Sequence, residues 1–470
     1  MSAHLERQPH IARRLLPVVF GLAWPTMLEQ LMQTAVQYID TAMVGSLGTQ
    51  ATAAVGCTTT VNWLVGSTVS AFGVGFLAYI SQAIGAGNDR RARRAAGQSV
   101  LAVLVTGLLF TLLTVSLSPY VPVWMRADRA VQPLAARYFR ILYLPMLARA
   151  ASVIFGTVLR AAGDTRTPMR TGIAVNLINV VLNFLLIYPC RTLSLLGAQL
   201  PVWGAGWGVV GAAAASAVSF VYGGIAITVA VFHHPRISPR GEKLRPDGEI
   251  LRPCLRVAFP NMLQRFGASL GYVFFAAMIN SLGETATAAH TIANTVESAF
   301  YIPGYGMMTA AATLTGNAIG GRDRKRLRDQ AGVILAAEVT MMLFSGALLF
   351  AFAPAMVSIF SRDAAVIALG SAVLRMVACS EPFYGVSIVI EGMLQGAGET
   401  RVPFLFNICG MWGVRIVGTW ICTQRLGLGL VAAWGCMIAH NLLLFAMYVI
   451  YYNFVSTSAS GGRKRATARS

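Results

Sequence analysis

Twelve apolar stretches, each long enough to cross about 30 Å of hydrocarbon at roughly 20 residues per helix, leave this chain very few folds. They run near 15–43, 51–85, 96–118, 131–160, 168–189, 207–232, 251–280, 286–319, 330–354, 365–396, 403–424 and 428–453. A backbone in lipid must satisfy its own polar groups, and runs of this length do so as helices. Composition agrees: 56% of the 470 residues are hydrophobic and 12% charged, with a mean hydropathy of +0.62. That is about half the charge density of a soluble domain, so the expected class is an all-α polytopic membrane protein.

A net charge of +19 would suggest a nucleic-acid partner in a soluble protein, so the placement of the charges decides. Taking the loops alternately, 26 Lys and Arg fall on one side, among them Arg90, Arg91, Arg93 and Arg94, the run Arg322–Arg328, and the tail with Arg463, Lys464 and Arg465. Only 6 fall on the other: Arg126, Arg129, Arg137, Arg191, Arg362 and Arg425. Positive residues collect on the cytoplasmic face, so both termini are expected in the cytoplasm and no nucleic acid is expected as partner. Residues from Leu15 form too long an apolar run, without a small-residue cleavage site, for a removable signal peptide; the first helix is expected to stay as an anchor.

The chain also repeats itself. Ala23-Trp24-Pro25-Thr26-Met27-Leu28 recurs as Ala258-Phe259-Pro260-Asn261-Met262-Leu263, and Ser46-Leu47-Gly48 as Ser281-Leu282-Gly283. Gln82 to Gly85 returns as Asn317 to Gly320, and the decapeptide Leu159 to Pro168 (LRAAGDTRTP) as Leu394 to Pro403 (LQGAGETRVP), all displaced by 235 residues. Six spans per half is an even number, so both halves enter the membrane from the same side, related by an axis near its normal. The expected organisation is a cytoplasmic segment 1–14, an N-lobe 15–232, a cytoplasmic linker 233–250, a C-lobe 251–453 and a basic tail 454–470.

Ionisable groups inside spans are expensive in hydrocarbon and are functional candidates by default. On the first span Glu29, Gln33, Gln37 and Asp40 share one helical face, and on the fifth so do Asn176, Asn179 and Asn183. One carboxylate among neutral amides suits transient holding of a proton or small cation; the competing reading is amide bonds that only fasten helices. The equivalents in the second half, Gln264, Ala268, Tyr272 and Phe275, then Met411, Val414 and Gly418, lack this polarity, so the cluster belongs to the first half alone. The second half carries Arg265, Glu297, Glu338, Arg375, Glu381, Glu391 and Arg415. For Arg265, Glu297 and Glu381 an internal ion pair is the plain expectation; Glu297 and Glu381, with Gln37, are candidates for a substrate cavity. Pro25 and Pro260 occupy equivalent places inside their spans and are hinge candidates.

The seven cysteines are scattered, without CxxC, and read as packing or lipid-facing thiols. There is no GxxxxGK[ST] and no HExxH; Gly206-x-Gly208-x-x-Gly211 opens a span without a preceding strand and reads as helix packing. No cofactor and no resident metal is expected, with transient Na⁺ at Asp40, Asn179 and Asn183 left open.

The stretches Leu22 to Pro25, Asp40 to Gly48, Leu159 to Pro168 and Asn176 to Tyr188, with their second-half copies, resemble the bacterial MATE (multidrug and toxic compound extrusion) family over nearly the whole chain. The resemblance implies a monomeric twelve-helix, two-lobe antiporter of the bacterial inner membrane that exports amphipathic, usually cationic compounds in exchange for protons or sodium ions. In its DinF-like branch the coupling site surrounds positions matching Asp40, Asn179 and Asn183; where a second carboxylate is frequent, this chain has Asn183. The NorM-like branch places carboxylates at positions that align with Ala268 and Tyr384, so the resemblance is nearer the DinF-like branch, with proton coupling favoured and sodium open. The competing readings are a lipid-linked oligosaccharide flippase of the same superfamily and, from another class, an integral-membrane transferase. The transferase would need convergent acid, base or metal ligands, whereas His290 and His440 are isolated and His233 and His234 lack acidic neighbours in sequence.

Overall fold

The computed structural model describes residues 9–195, 198–242 and 244–466. Parts of the expected N-terminal segment (1–8) and basic tail (467–470) lie outside the described residues, as does position 243 of the linker.

The first half runs α1 (Pro9–Gly45), α2 (Thr49–Gly85), α3 (Asp89–Leu117), a single turn α4 (Val121–Trp124), α5 (Gln132–Tyr143), α6 (Met146–Ala161), α7 (Arg166–Ile187) and α8 (Gly208–His233). The second runs α9 (Gly248–Asn280), α10 (Glu284–Gly320), α11 (Arg324–Phe360), α12 (Ala364–Ala378), α13 (Glu381–Ala397), α14 (Arg401–Ile408), α15 (Val417–Trp420) and α16 (Leu430–Ala466). Nine helices among the described residues are long and apolar enough to cross a membrane. Two bent pairs, α5 with α6 at 50° and α12 with α13 at 55°, raise the number to eleven, and α10, 37 residues long, holds the place of the twelfth.

The repeat survives in the backbone. Helices α2 and α10 begin and end 235 residues apart. Each is entered through a glycine with positive φ, Gly48 at 106° and Gly283 at 102°, a conformation a side chain would strain. Asn88 caps α3 by accepting from the Arg91 amide, and Asp323 caps α11 by accepting from the Arg326 amide, each at 2.9 Å. Even a packing contact is shared: a Cβ on Gly73 of α2 would meet Thr157 of α6, and at the equivalent pair a Cβ on Gly392 of α13 would meet Met308 of α10. Small residues let the helices approach closely in both halves, with the glycine on opposite partners.

Three features depart from the plain helix map. The fourth and tenth spans, expected as single helices over 131–160 and 365–396, are each broken, where Pro145 stands before α6 and Ser380 before α13. The eleventh span widens into π-helical turns at Cys409–Ile416 and Ile421–Arg425, an uncommon geometry. The link from α7 to α8 forms an antiparallel hairpin of β1 (Pro189–Leu195) and β2 (Ala198–Ala205). Beyond it, Gly206 and Gly208 have positive φ, and a Cβ on Gly211 would collide with the Leu186 carbonyl, so this glycine series serves turning and packing.

The chain forms two compact units, Leu28–Phe259 and the stretch ending at Met27 together with Pro260–Ser470. Thus α1 contributes to both, changing unit between Met27 and Leu28. In the N-terminal unit α3 buries Ala92, Ala95, Ala96 and Ser99 while exposing Leu108, Leu109 and Leu112, the last at 70%. Small residues inside and leucines outside suit a helix whose outer solvent is lipid. In the C-terminal unit one apolar cluster gathers Phe275, Leu349, Leu374 and Trp434, and another gathers Val19, Ala23, Met307, Val389 and Tyr448.

Candidate functional site

The polar face of α1 meets that of α7 inside the N-terminal unit. Asn183 donates its amide to Asp40 Oδ1 at 2.6 Å and to Asn179 Oδ1 at 3.1 Å, and Asn179 donates to Ser216 Oγ of α8 at 3.1 Å. Asn183 and Asn179 are buried, whereas Asp40 and Ser216 at the two ends of the relay are half-buried. The i, i+4 spacing of the two asparagines puts their amides one above the other on α7. Buried Tyr138 of α5 lies within electrostatic reach of Asp40. Above this set, Ser46 and Tyr188 share a hydrogen bond of 2.8 Å, and the Arg191 guanidinium covers the rings of Phe184 and Tyr188 at 4.1 and 4.2 Å.

The other expected members fall elsewhere. Gln33 and Gln37 are exposed and Asn176 partly so, and none of these side chains makes a hydrogen bond among the described residues. Glu29 is about 16 Å from Asp40 along the helix at 1.5 Å per residue. It is held by Arg160 of α6, whose Nη2 donates to both carboxylate oxygens at 2.8 and 2.6 Å. Pro25 and Pro260 both lie within the continuous runs of α1 and α9.

A second polar group in this unit was not singled out in the sequence. Tyr143 donates to Asn62 Oδ1 at 2.5 Å and Arg149 to the same oxygen at 3.4 Å, while the Arg149 guanidinium lies over Tyr143 and Phe220. The available signal was one arginine inside the apolar run 141–159 and one asparagine inside 51–85.

In the C-terminal unit Glu297, Glu338 and Glu381 are 6%, 0% and 1% exposed. The expected ion pair among Arg265, Glu297 and Glu381 is not present among the described residues. Arg265 donates to Asn261 at 3.0 Å, and both oxygens of Glu381 are buried without a hydrogen-bond partner. The cation within electrostatic reach of Glu297 is instead Arg415, whose guanidinium rests on the faces of Tyr272 and Phe275 at 4.8 and 4.4 Å. The π-helical turn carrying Arg415 turns it inward, which the alternation of apolar residues did not indicate. Tyr384 packs edge-on against Tyr301 at 5.9 Å. His290 accepts from Trp434 Nε1 at 3.2 Å. Among the described residues no three His, Cys, Asp or Glu side chains gather closely enough to hold a metal ion.

The MatE family model matches residues 25–185 and 260–421, the two halves of the repeat. A probable multidrug resistance protein NorM of Thermotoga maritima is 27% identical over 450 residues, covering 95% of this chain and 93% of that one. Among solved structures, a MATE protein in complex with MaL6 superposes with a TM-score of 0.87 at 23% identity, covering 94% of this chain and 97% of the other. A MOP superfamily transporter from Pyrococcus furiosus, described as having a binding pocket of reversed polarity that suggests a different function, superposes at 0.85 with 23% identity, covering 94% and 96%. At these identities the structures share the fold.

Proposed function

Since the chain belongs to the MatE family, whose members are membrane transporters and not enzymes, we propose that it is a secondary active antiporter exporting amphipathic, cationic drugs or toxic compounds in exchange for protons. The Thermotoga maritima relative, named a probable multidrug resistance protein, supports the substrate class. The observation that carries the coupling is the Asp40–Asn183 hydrogen bond of 2.6 Å, backed by Asn179 and Ser216. A single carboxylate held by a neutral amide donor changes its net charge by one when it takes a proton. Amide oxygens with one carboxylate could also hold Na⁺ for a moment, and sodium is the alternative coupling ion.

The mechanism is alternating access. Protonation of Asp40 from the outer side removes its charge, weakens the charge-assisted bond from Asn183 and changes how the polar face of α1 rests on α7. Pro25, inside α1 and two residues before the helix changes unit, is where bending would be absorbed. Coupling requires that the two facing states differ in their affinity for the proton. Both termini face the cytoplasm of a bacterial inner membrane in this reading, the protein acts as a monomer, and Gln37, Glu297 and Glu381 are the candidates for attracting a cationic substrate.

The test is ethidium efflux from pump-deficient bacterial cells expressing the chain, with proton and sodium gradients collapsed separately. Efflux that stops with the proton gradient alone supports the reading. Efflux that stops with the sodium gradient alone changes the ion, and turnover of a lipid-linked sugar without cation efflux replaces the exporter by a flippase.

A further inference from the structure

Four positions related by the 235-residue repeat meet in each half, and the two halves fill them with opposite chemistry. In the first they are Glu29, Gly156, Arg160 and Gly172; in the second, Gln264, Glu391, Gln395 and Asn407. In the first half Arg160 grips Glu29 through both oxygens, and a Cβ on Gly172 would stand 3.2 Å from Glu29 Cγ. A Cβ on buried Gly156 would make an ordinary contact with Arg160 Nη1, at 3.8 Å. In the second half the carboxylate has moved from the first span to the fourth. Gln264 and Gln395 both donate to Glu391 Oε1, at 2.8 and 3.2 Å, and Asn407 and Tyr448 donate to Oε2 at 3.5 and 3.4 Å.

Each half therefore joins its first and fourth spans through one carboxylate, and in the first half glycine stands at the two positions, 156 and 172, where the second half has Glu391 and Asn407. The two joints differ in how they can come apart. The Glu29 and Arg160 side chains are 21% and 17% exposed, so both ions can be hydrated on separating, and an ion pair in reach of water holds weakly. Glu391 is ringed by four neutral donors, and its two glutamine partners are 6% and 4% exposed. Separating that joint would leave the two buried glutamine amides without a partner. Glu29 also lies two residues past the point where α1 passes from one compact unit to the other.

We propose that Glu29 and Arg160 are positioning residues of the transport cycle, forming a clasp between the first and fourth spans that opens and recloses, while the Glu391 joint stays closed. This rests on the export reading. The clasp acts by setting where α1, which carries Asp40, lies against its unit.

The test uses ethidium efflux by the full chain. Glu29→Gln or Arg160→Gln lowers export by about tenfold, and the exchanged pair Glu29→Arg/Arg160→Glu restores most of it, as a coupling energy between contacting residues requires. The decisive variant copies the closed joint into the first half: Glu29→Gln, Gly156→Glu, Arg160→Gln and Gly172→Asn together. It is expected to fold with the wild-type melting temperature and to export at about one tenth of the wild-type rate or less. Export at the wild-type rate would overturn the proposal, because a joint that merely fastens helices would then suffice. Should that variant fail to fold, a reversible cross-link decides. In a background lacking the native cysteines, oxidising Glu29→Cys/Arg160→Cys stops export until reductant is added, whereas oxidising Gln264→Cys/Gln395→Cys leaves it running. Continued export by the oxidised first pair overturns the clasp. If the wild type exports nothing, the export reading fails and the clasp falls with it.

Discussion

Replacing Glu338 by methionine is expected to stabilise the C-terminal unit. Glu338 on α11 is 0% exposed, and neither carboxyl oxygen has a hydrogen-bond partner among the described residues. It fits because two glycines make room: Oε1 would lie 3.0 Å from a Cβ on Gly304 of α10 and 2.7 Å from one on Gly385 of α13. A buried polar group left without a partner costs about 1–3 kcal/mol. Methionine has nearly the same length and volume, carries no strong polar atom and adapts to irregular spaces, so Glu338→Met should recover most of that cost. For a unit of this size each kcal/mol moves the melting temperature by about 2–4 °C. Glu338→Gln keeps the shape and the polarity and should gain little. The assay is thermal unfolding of the purified variants in one detergent, with ethidium efflux measured in parallel. A glutamate retained at such a cost is expected to serve transport, so the more stable variant should export less. A Glu338→Met protein that melts below the wild type would refute the account, since the carboxyl would then be contributing more than it costs.

Other predictions follow from single contacts. A Cβ on Gly396 of α13 would overlap the Ala312 carbonyl of α10, so Gly396→Val should destabilise by about 3 kcal/mol or more, read as lost folded yield, with Gly413→Val, which has open space, as the tolerant control. The sulfurs of Cys422 and Cys436 are 3.8 Å apart, so diamide should remove two free thiols from the protein and none of these from Cys422→Ser; an unchanged thiol count would contradict the packing of these helix ends. Burial holds the His234 imidazole, which caps the end of α8, below its ordinary value, against an opposing effect of Asp164 and with a further lowering by Arg236. Its neutral form is thus favoured by folding, so stability is full above about pH 6.5 and is lost as pH falls through that value toward the folded one. The His234→Gln variant should lose less stability on acidification than the wild type, and identical pH profiles would sink the assignment.

Much of the fold was legible because two signals in the sequence are long-range and redundant. Apolar length marks spans, and the repeat fixes their equivalence, which the structure extends to Asn88 and Asp323 as matching caps. What was not legible is local. The breaks before Met146 and Glu381 are marked by Pro145 and by Ser380-Glu381-Pro382, which a count of apolar length passes over, and the π-helical turns around Arg415 change which face a residue presents without changing composition. In the site, helical spacing put Asn179 and Asn183 on one face of α7, where Asn183 reaches Asp40 of α1. It also grouped Glu29 with Asp40, because sharing a face says nothing about the partner opposite. Arg160 lies 131 residues away in the chain, and its role required the structure.

The most direct measurement is ethidium transport by Asp40→Asn in proteoliposomes, comparing uptake driven by an imposed proton gradient with gradient-free exchange of labelled for unlabelled ethidium. The account predicts that the variant loses gradient-driven transport and responds no differently when the gradient is reversed, because the group whose charge changes is gone. Gradient-driven transport at the wild-type rate by Asp40→Asn would contradict it and remove the Asp40–Asn183 pair from the coupling site.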